Sequence, residues 1–375
     1  MEKIIRVSGK YLLTAALIVI VLLFRGNVYR KPLLAEDGSE FCKAVVIEND
    51  NLLVQESDSG QEVVLLLKSG KHSGQRVRAY AMNGYLYGAS CKKGQHVIAQ
   101  VSGSGDDLSV NVYNYDREGA MAVLLFAFAF SVWLVGGKKG IYSLIALVFT
   151  CIVIIGLYIP LIYVGVSPFL SAVCAVLLVT FVTYLLIDGM SRKSISAMVG
   201  TIGGVVCAGV IAAIFGRCGH ISGMNVDEIE TLLFIQQNSH IDIGGMLFSS
   251  ILIASLGAVM DVAMSVSSSM TEICDKVPNI TRKELFRSGL RIGRDMIGTM
   301  SNTLILAFVG GSLNLVMIIY AYQYPLHQVL NMYSLGIEWM KGIAGTMGIV
   351  FTVPLTAAAA SYFLLRNAGV SQSKA

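Results

Sequence analysis

Eight runs of mostly apolar residues divide this chain, at 8–24, 119–135, 140–158, 168–187, 195–215, 246–268, 298–319 and 343–365. A helix needs about 20 such residues to cross a hydrocarbon core. Backbone N–H and C=O groups in that core must be satisfied within helices or closed barrels. The pattern therefore predicts a mainly α protein, a polytopic transmembrane helical bundle. Composition agrees: 55% of the 375 residues are hydrophobic and 14% are charged, against about 25% charged in soluble domains. The net charge of +4 is too small to argue for a nucleic-acid partner.

The distribution of basic residues sets the orientation, because short cytoplasmic loops collect Lys and Arg. Lys3, Arg6 and Lys10 precede the first run. Such a basic start resembles a signal peptide, but Phe24-Arg25-Gly26-Asn27 offers no small-x-small cleavage site, so the run reads as an uncleaved anchor. Lys138 with Lys139, Arg192 with Lys193, six basic residues from Lys276 to Arg294, and Arg366 with Lys374 then share one side. Beyond the second run the other side keeps Arg217 and Lys341. This predicts a multi-pass plasma-membrane protein with both termini cytoplasmic.

Residues 36–116 form a polar interlude that this topology places outside. Leu108-Ser109-Val110-Asn111-Val112 alternates with period two, the sign of a half-buried strand, and "EVVLLLK" and "HVIAQV" are short strands bounded by glycine turns. About five such strands predict a small extracytoplasmic β-barrel, OB-like in size. Tyr80, Tyr85 and Tyr87 near Arg76 and Arg78 imitate a stacking groove, yet an outer location argues against nucleic acid. A docking role toward a membrane or cell-wall protein is the simpler expectation. The domains so predicted are an anchor and linker at 1–35, the β domain at 36–116, a seven-helix membrane domain at 117–367 and a tail at 368–375.

Seven cysteines without a CxxC pair signal neither a redox dithiol nor a zinc knuckle. Cys42 and Cys91 would pair only on an oxidising side and only if the fold brings them together. His220, His240 and Asp242 are too scattered to argue for a metal. No cofactor is expected.

The residues that stand out are acids inside apolar runs. "GAVMDVAMSVSSSM" carries Asp261, whose helical face also holds Ala254, Gly257, Ser265 and Ser268, while Val259, Val262 and Val266 point elsewhere. That face is small and polar, so it is expected to meet neighbouring helices rather than lipid. The next run aligns Asp295, Thr299 and Asn302, with Thr303 adjoining. The two stripes fall at similar depth and are expected to enclose one hydrated pocket. Between them, 281–297 carries Arg287, Arg291 and Arg294 at helical spacing, which predicts an interfacial helix meeting anionic headgroups. Plain topology control is the alternative, as is an ion pair from Arg291 or Arg294 to Asp295.

A carboxylate in a polar intramembrane pocket takes up protons or binds cations, as transporter acids do. Alternatively it hydrogen-bonds across a helix pair. Enzyme chemistry is not expected. No histidine lies inside a run to serve a serine, and no phosphate-binding GxxxxGK[ST] loop is present.

The stretches "LGAVMDVAMSVSSSMTEI", "RSGLRIGRDMIGTMSNTLILAFVGGSL" and "VPLTAAAA" resemble the YibE/F family of bacterial membrane proteins. The likeness extends to "VVLLLKSGKHSGQRVRAYAMNG" and "KKGQHVIAQV" in the outer segment. It implies an integral membrane protein that shares Asp261, Arg294, Asp295, Asn302 and Thr303, and it supplies no substrate or catalytic residue. In layout alone the chain is also similar to SecD/SecF-like proton-driven proteins. The expectation is a proton- or cation-coupled transporter or export-assisting protein, acting on an unknown small molecule in the lipid bilayer. The alternative is a non-transporting scaffold or sensor.

Overall fold

A computed structural model describes residues 14–26, 39–49, 60–82, 91–103, 108–226 and 229–365. The chain divides into two compact units, one of residues 31–135 and one of residues 1–30 with 136–375.

In the first unit β1 (Glu40–Asn49), β2 (Gln61–Leu67), β3 (Arg76–Ala81), β4 (His96–Ser102) and β5 (Ser109–Tyr115) close into a barrel in the order β1-β2-β3-β5-β4. Neighbours are antiparallel except β3 and β5, which run parallel through Tyr80 beside Asn111. Alternation decides what fills it: Val63, Leu65, Leu67, Ala79, Ala81, Val97, Ala99, Val101, Val110 and Val112 all point inward and are buried. Bulges between Val46 and Glu48 in β1 and between Ile98 and Ala99 in β4 supply the bending that closure needs. The five-stranded barrel predicted from the strand spacing is therefore present, ahead of the helical region.

Cys42 and Cys91 both enter the barrel core, but at opposite ends of β2. Cys42 lies under Gly70, just past Leu67, whereas the backbone of Cys91 is held by both polar atoms of the Gln61 side chain at 3.2 Å. At about 3.3 Å per residue their separation is about 20 Å, too far for the two to pair. Burial pushes both thiols above the ordinary value of 9.0. The unfolded thiols ionise first, so the folded barrel holds more protons above that value and loses stability as pH rises through 9. Chemical denaturation followed between pH 7 and 10 is expected to show that loss. Substituting both cysteines with Ala should remove it.

The remaining elements are helices: α1 (Thr14–Gly26), α2 (Glu118–Tyr163), α3 (Pro168–Ile187), α4 (Arg192–Cys218), α5 (Ile229–Asn238), α6 (Ile243–Lys276), α7 (Arg282–Gly311), α8 (Leu313–Tyr322), α9 (Leu326–Leu330) and α10 (Tyr333–Leu365). Five of them, α2, α3, α4, α6 and α10, are long and apolar enough to cross a membrane. The pair α7 and α8, bent by 63°, makes a sixth if it counts as one span. That is fewer than the eight runs in the sequence. Runs 119–135 and 140–158 are two helices that meet at a kink at Gly137 (φ 54°, ψ −135°) and are counted together in α2, which also carries a π-helical turn at Ile154–Tyr158. Run 8–24 and both tails lie partly or wholly outside the described residues.

A second difference concerns 281–297. These residues do not form a separate surface helix but the first half of α7, whose start is fixed by a capping box between Thr281 and Glu284. The bend falls later, after Gly311, so the expected span 298–319 is cut by it. Pro354 leaves α10 unbroken, and the connection between α4 and α6 carries the short helix α5.

The helical unit is organised on α4 and α10. Gly200 and Gly204 of α4 receive Thr356 and Thr352 of α10, and Ala208 meets Gly348. Small residues at this spacing let two backbones approach closely, which is how helices associate where lipid gives no hydrophobic drive. Tyr184 of α3, fully buried, ties a third and fourth helix to the pair: its hydroxyl bonds Thr201 at 2.7 Å and donates to the Met260 carbonyl at 3.1 Å. Tyr158 and Ser249 pair similarly at 2.5 Å between α2 and α6. A methyl added at Gly200 would collide with the Thr356 side chain and backbone. Gly200→Ala is expected to cost about 1–3 kcal/mol, read as a lowered thermal midpoint of the purified protein. Gly119→Ala, with nothing within 4 Å of the new methyl, should leave that midpoint unchanged or raise it.

Candidate functional site

Helix α6 buries Ser255, Val259, Val262, Ala263, Val266 and Met270 against its neighbours. Its opposite side carries Ala254, Gly257 and Asp261, all exposed, and Ser265 and Ser268, half-exposed. The expectation that the small polar face packs against other helices is therefore reversed. Branched Val259 settles on Gly348, where a glycine leaves room for it, and Ser255 fits beside Gly345. The buried serines on that side close their own hydrogen bonds, Ser267 to the Lys193 carbonyl at 2.8 Å and Ser255 to the Leu252 carbonyl at 3.2 Å. Polarity alone did not reveal which face is inside.

The second stripe behaves alike. Helix α7 packs through Leu285, Gly289 and Gly293, its glycines receiving Met270, Ala357 and Val353. Further along, Leu304 meets Gly345. The other side of α7 presents Arg287, Arg291, Arg294, Asp295, Gly298, Thr299, Asn302 and Thr303, all exposed. Two contacts fix the register of α6 against α7: Met270 lies at Gly289, and Ser255 and Leu304 share Gly345. Carried along an antiparallel pair, that register sets Asp261 level with Gly298, Ser265 with Arg294 and Ser268 with Arg291. The two polar stripes thus lie at the same levels beside the outward groove of α6 and α7, while Gly257, one turn before Asp261, lines a cavity of about 310 Å³ with Ala146, Thr150, Ala175 and Val179 of α2 and α3.

Depth follows from the same contacts. Val259 touches Gly348, halfway along α10, so Asp261 sits near the middle of the bundle. A charged side chain at that depth costs about 3 kcal/mol on insertion scales unless it is hydrated, neutralised or covered. Among the described residues Asp261 has no hydrogen bond or ion pair, and neither Asn302 nor Ser265 has one. Thr299 and Thr303 donate to the Met296 and Thr299 carbonyls at 3.1 and 2.9 Å, which leaves their oxygens free to accept. Arg291 and Arg294 make no ion pair with Asp295. The two stripes therefore offer two carboxylates, several hydroxyl oxygens and a carboxamide, a donor set suited to a proton or a small cation.

A feature that the sequence reading missed lies at the other end of α7. Its turn into α8 opens a cavity of about 390 Å³ lined by Gly311, Ser312, Asn314, Ser334, Glu338 and Lys341. Glu338 and Lys341, three residues apart on α10, pair at 2.7 Å in the wall of this cavity. The Gly310-Gly311-Ser312 sequence was the available signal for the break. Helix α8 beyond it buries nothing and exposes Tyr320 and Tyr322, an apolar and aromatic surface suited to a membrane–water boundary. A discontinuous helix beside a polar cavity is a form that transport proteins use to expose backbone groups to a solute.

The geometry of the groove falls wholly within a region that comparison with known proteins identifies. Residues 124–366 match the YibE/F-like protein family. The chain belongs to that family. It is an integral membrane protein, and the match spans Asp261, Asp295, Thr299, Asn302 and Thr303 together with the cavity at Ser312. The barrel of this YibE/F-like chain lies outside the matched residues, so the likeness proposed for the outer segment is not covered. No curated protein and no solved structure matches the chain.

Proposed function

We propose that this YibE/F-like protein moves protons or cations across the plasma membrane, alone or coupled to an exported solute, without enzymatic chemistry, and that Asp261 is the coupling group. One observation carries the reading: a partnerless carboxylate at mid-depth in a groove edged by hydroxyls and an amide. The rest of α7 supports it. Thr299, Asn302 and Thr303 extend from the level of Asp261 part of the way toward the cavity at Gly311 and Ser312, with Asp295 on the other side of that level, which carries polar surface from the middle of the bundle toward one end. Both termini and the α6–α7 connection are taken as cytoplasmic, with the two helices that meet at Gly137 counted as separate spans, which puts that cavity on the outer side. Arg287, nearest the α6–α7 connection, suits an anionic headgroup on the inner leaflet.

Purified protein in liposomes tests it. Asp261→Asn keeps the shape and removes the titratable charge, so it is expected to fold and to lose ion flux or its pH dependence by at least tenfold. Flux equal to that of the unaltered protein would end the proposal.

A second reading has its own observation. The barrel exposes Phe41, Tyr80 and Tyr113, and Phe41 and Tyr113 pack edge to face with centroids 5.2 Å apart. Exposed aromatics with Arg78 nearby suit a protein-docking face. If the barrel is a binding module, deletion of 36–116 is expected to leave the membrane unit intact by thermal melt and to abolish co-purification of partners with the full chain.

A further inference from the structure

The cavity of about 310 Å³ that Gly257 lines is a recess between α2 and α6 with α3 as its floor. Ala175, Val176 and Val179 are buried in that floor, and Leu147 on α2 and Gly257 on α6, both exposed, edge its opening. No charged side chain lines it, and the Thr150 hydroxyl already donates to the Ala146 carbonyl at 2.9 Å. Its size falls in the range of small-ligand sites, and its walls suit an apolar occupant.

The length and the ends of the recess narrow that occupant further. On α2 the lining keeps to one stripe, Ser143, Leu147, Thr150 and Ile154, at the three- and four-residue spacing of a single helix face. The rise from Ser143 to Ile154 is about 16 Å, close to one leaflet of a hydrocarbon core about 30 Å thick. Beyond Ile154 the hydrogen bond between Tyr158 and Ser249, at 2.5 Å, ties α2 to α6 and closes that end. At the other end Lys139, one turn before Ser143, extends the same stripe, and Lys138 precedes it. Both lysines are exposed, and among the described residues neither is in an ion pair. Asp188, just past the end of α3, is already taken by Lys193 at 2.8 Å.

We infer that the recess holds one acyl chain of an anionic phospholipid, with its phosphate at Lys138 and Lys139. The chain enters sideways from the bilayer between Leu147 and Gly257. A neutral apolar molecule would fill the recess and leave the lysines without a partner. A water-borne anion would use the lysines and not the recess. An anionic phospholipid satisfies both, and the basic residues place it in the leaflet taken as cytoplasmic, where such lipids attract lysine. The site does not depend on Asp261 carrying ions.

Native mass spectrometry of the delipidated full chain, titrated with dioleoyl phosphatidylglycerol or dioleoyl phosphatidylcholine, tests this. One phosphatidylglycerol is expected to be retained about fivefold more tightly than phosphatidylcholine, and more tightly than free oleate. Lys138→Gln combined with Lys139→Gln should bring the two phospholipids to similar retention. Gly257→Leu fills the recess from a position where a new Cβ meets nothing within 4 Å. It should keep the thermal midpoint and weaken retention of both phospholipids about fivefold. Independently of any variant, phosphatidylglycerol carrying a diazirine at mid-chain should label peptides that contain residues 143–154 or 253–260. Equal retention of the two phospholipids by the unaltered chain, oleate held as tightly as phosphatidylglycerol, undiminished retention in Gly257→Leu, or labelling confined to other segments would each overturn the inference.

Discussion

The close approach of α4 and α10 is what the helical unit is built on. Gly200 and Gly204 accept Thr356 and Thr352, and Gly348 in turn accepts both Ala208 and Val259. Lipid tails are as apolar as leucine, so helices in a bilayer gain little from hiding hydrophobic surface; they gain from dense van der Waals contact and satisfied hydroxyls. Glycine is the residue that permits that density. Once these two helices are in contact, the shape of α10 dictates where α6 and α7 can lie. Its glycines at 345 and 348 take Ser255, Leu304 and Val259, while Val353 and Ala357 fill the gaps left by Gly293 and Gly289.

The polar groove is a consequence of that packing. Because the branched face of α6 is the one that fits α10, the face bearing Asp261 is turned away. The same holds for α7, whose glycine side is inward and whose Asp295, Thr299 and Asn302 side is outward. A face that appears suited to an interior site is thus presented to whatever lies beside the chain. The bend after Gly311 then carries α8 away from the bundle and exposes the Glu338–Lys341 pair to a cavity.

The barrel is governed by different physics. Its core consists of small and branched residues at alternate positions, and closure leaves no bare sheet edge. Cys42 and Cys91 serve as small apolar fillers at its two ends. The Lys43 ion pairs to Asp116 and Glu118, at 3.7 and 2.5 Å, join its first strand to the residues that lead from β5 into α2, and their exposure keeps their contribution small.

Much was legible in the sequence because hydropathy and period are local properties. Apolar runs announced the long helices, alternation announced strand β5, short runs beside glycine turns announced β2 and β4, and the 3.6-residue period placed Asp261 with Ser265 and Asp295 with Asn302 on single faces. The pairing of Glu338 with Lys341 was also readable, since three residues on a helix bring side chains together. What the sequence could not state is which face of a helix meets which neighbour. On α6 both faces carry serines and small residues, and only the fit of Val259 and Ser255 into Gly348 and Gly345 selects the inward one. The continuity of α7 through 282–311 was likewise hidden, because three arginines imitate a surface helix while Leu285, Gly289 and Gly293 on the other side hold it in the bundle. Periodicity assigns residues to faces; complementarity of shape between distant segments assigns faces to the interior, and that second assignment exists only in the folded chain.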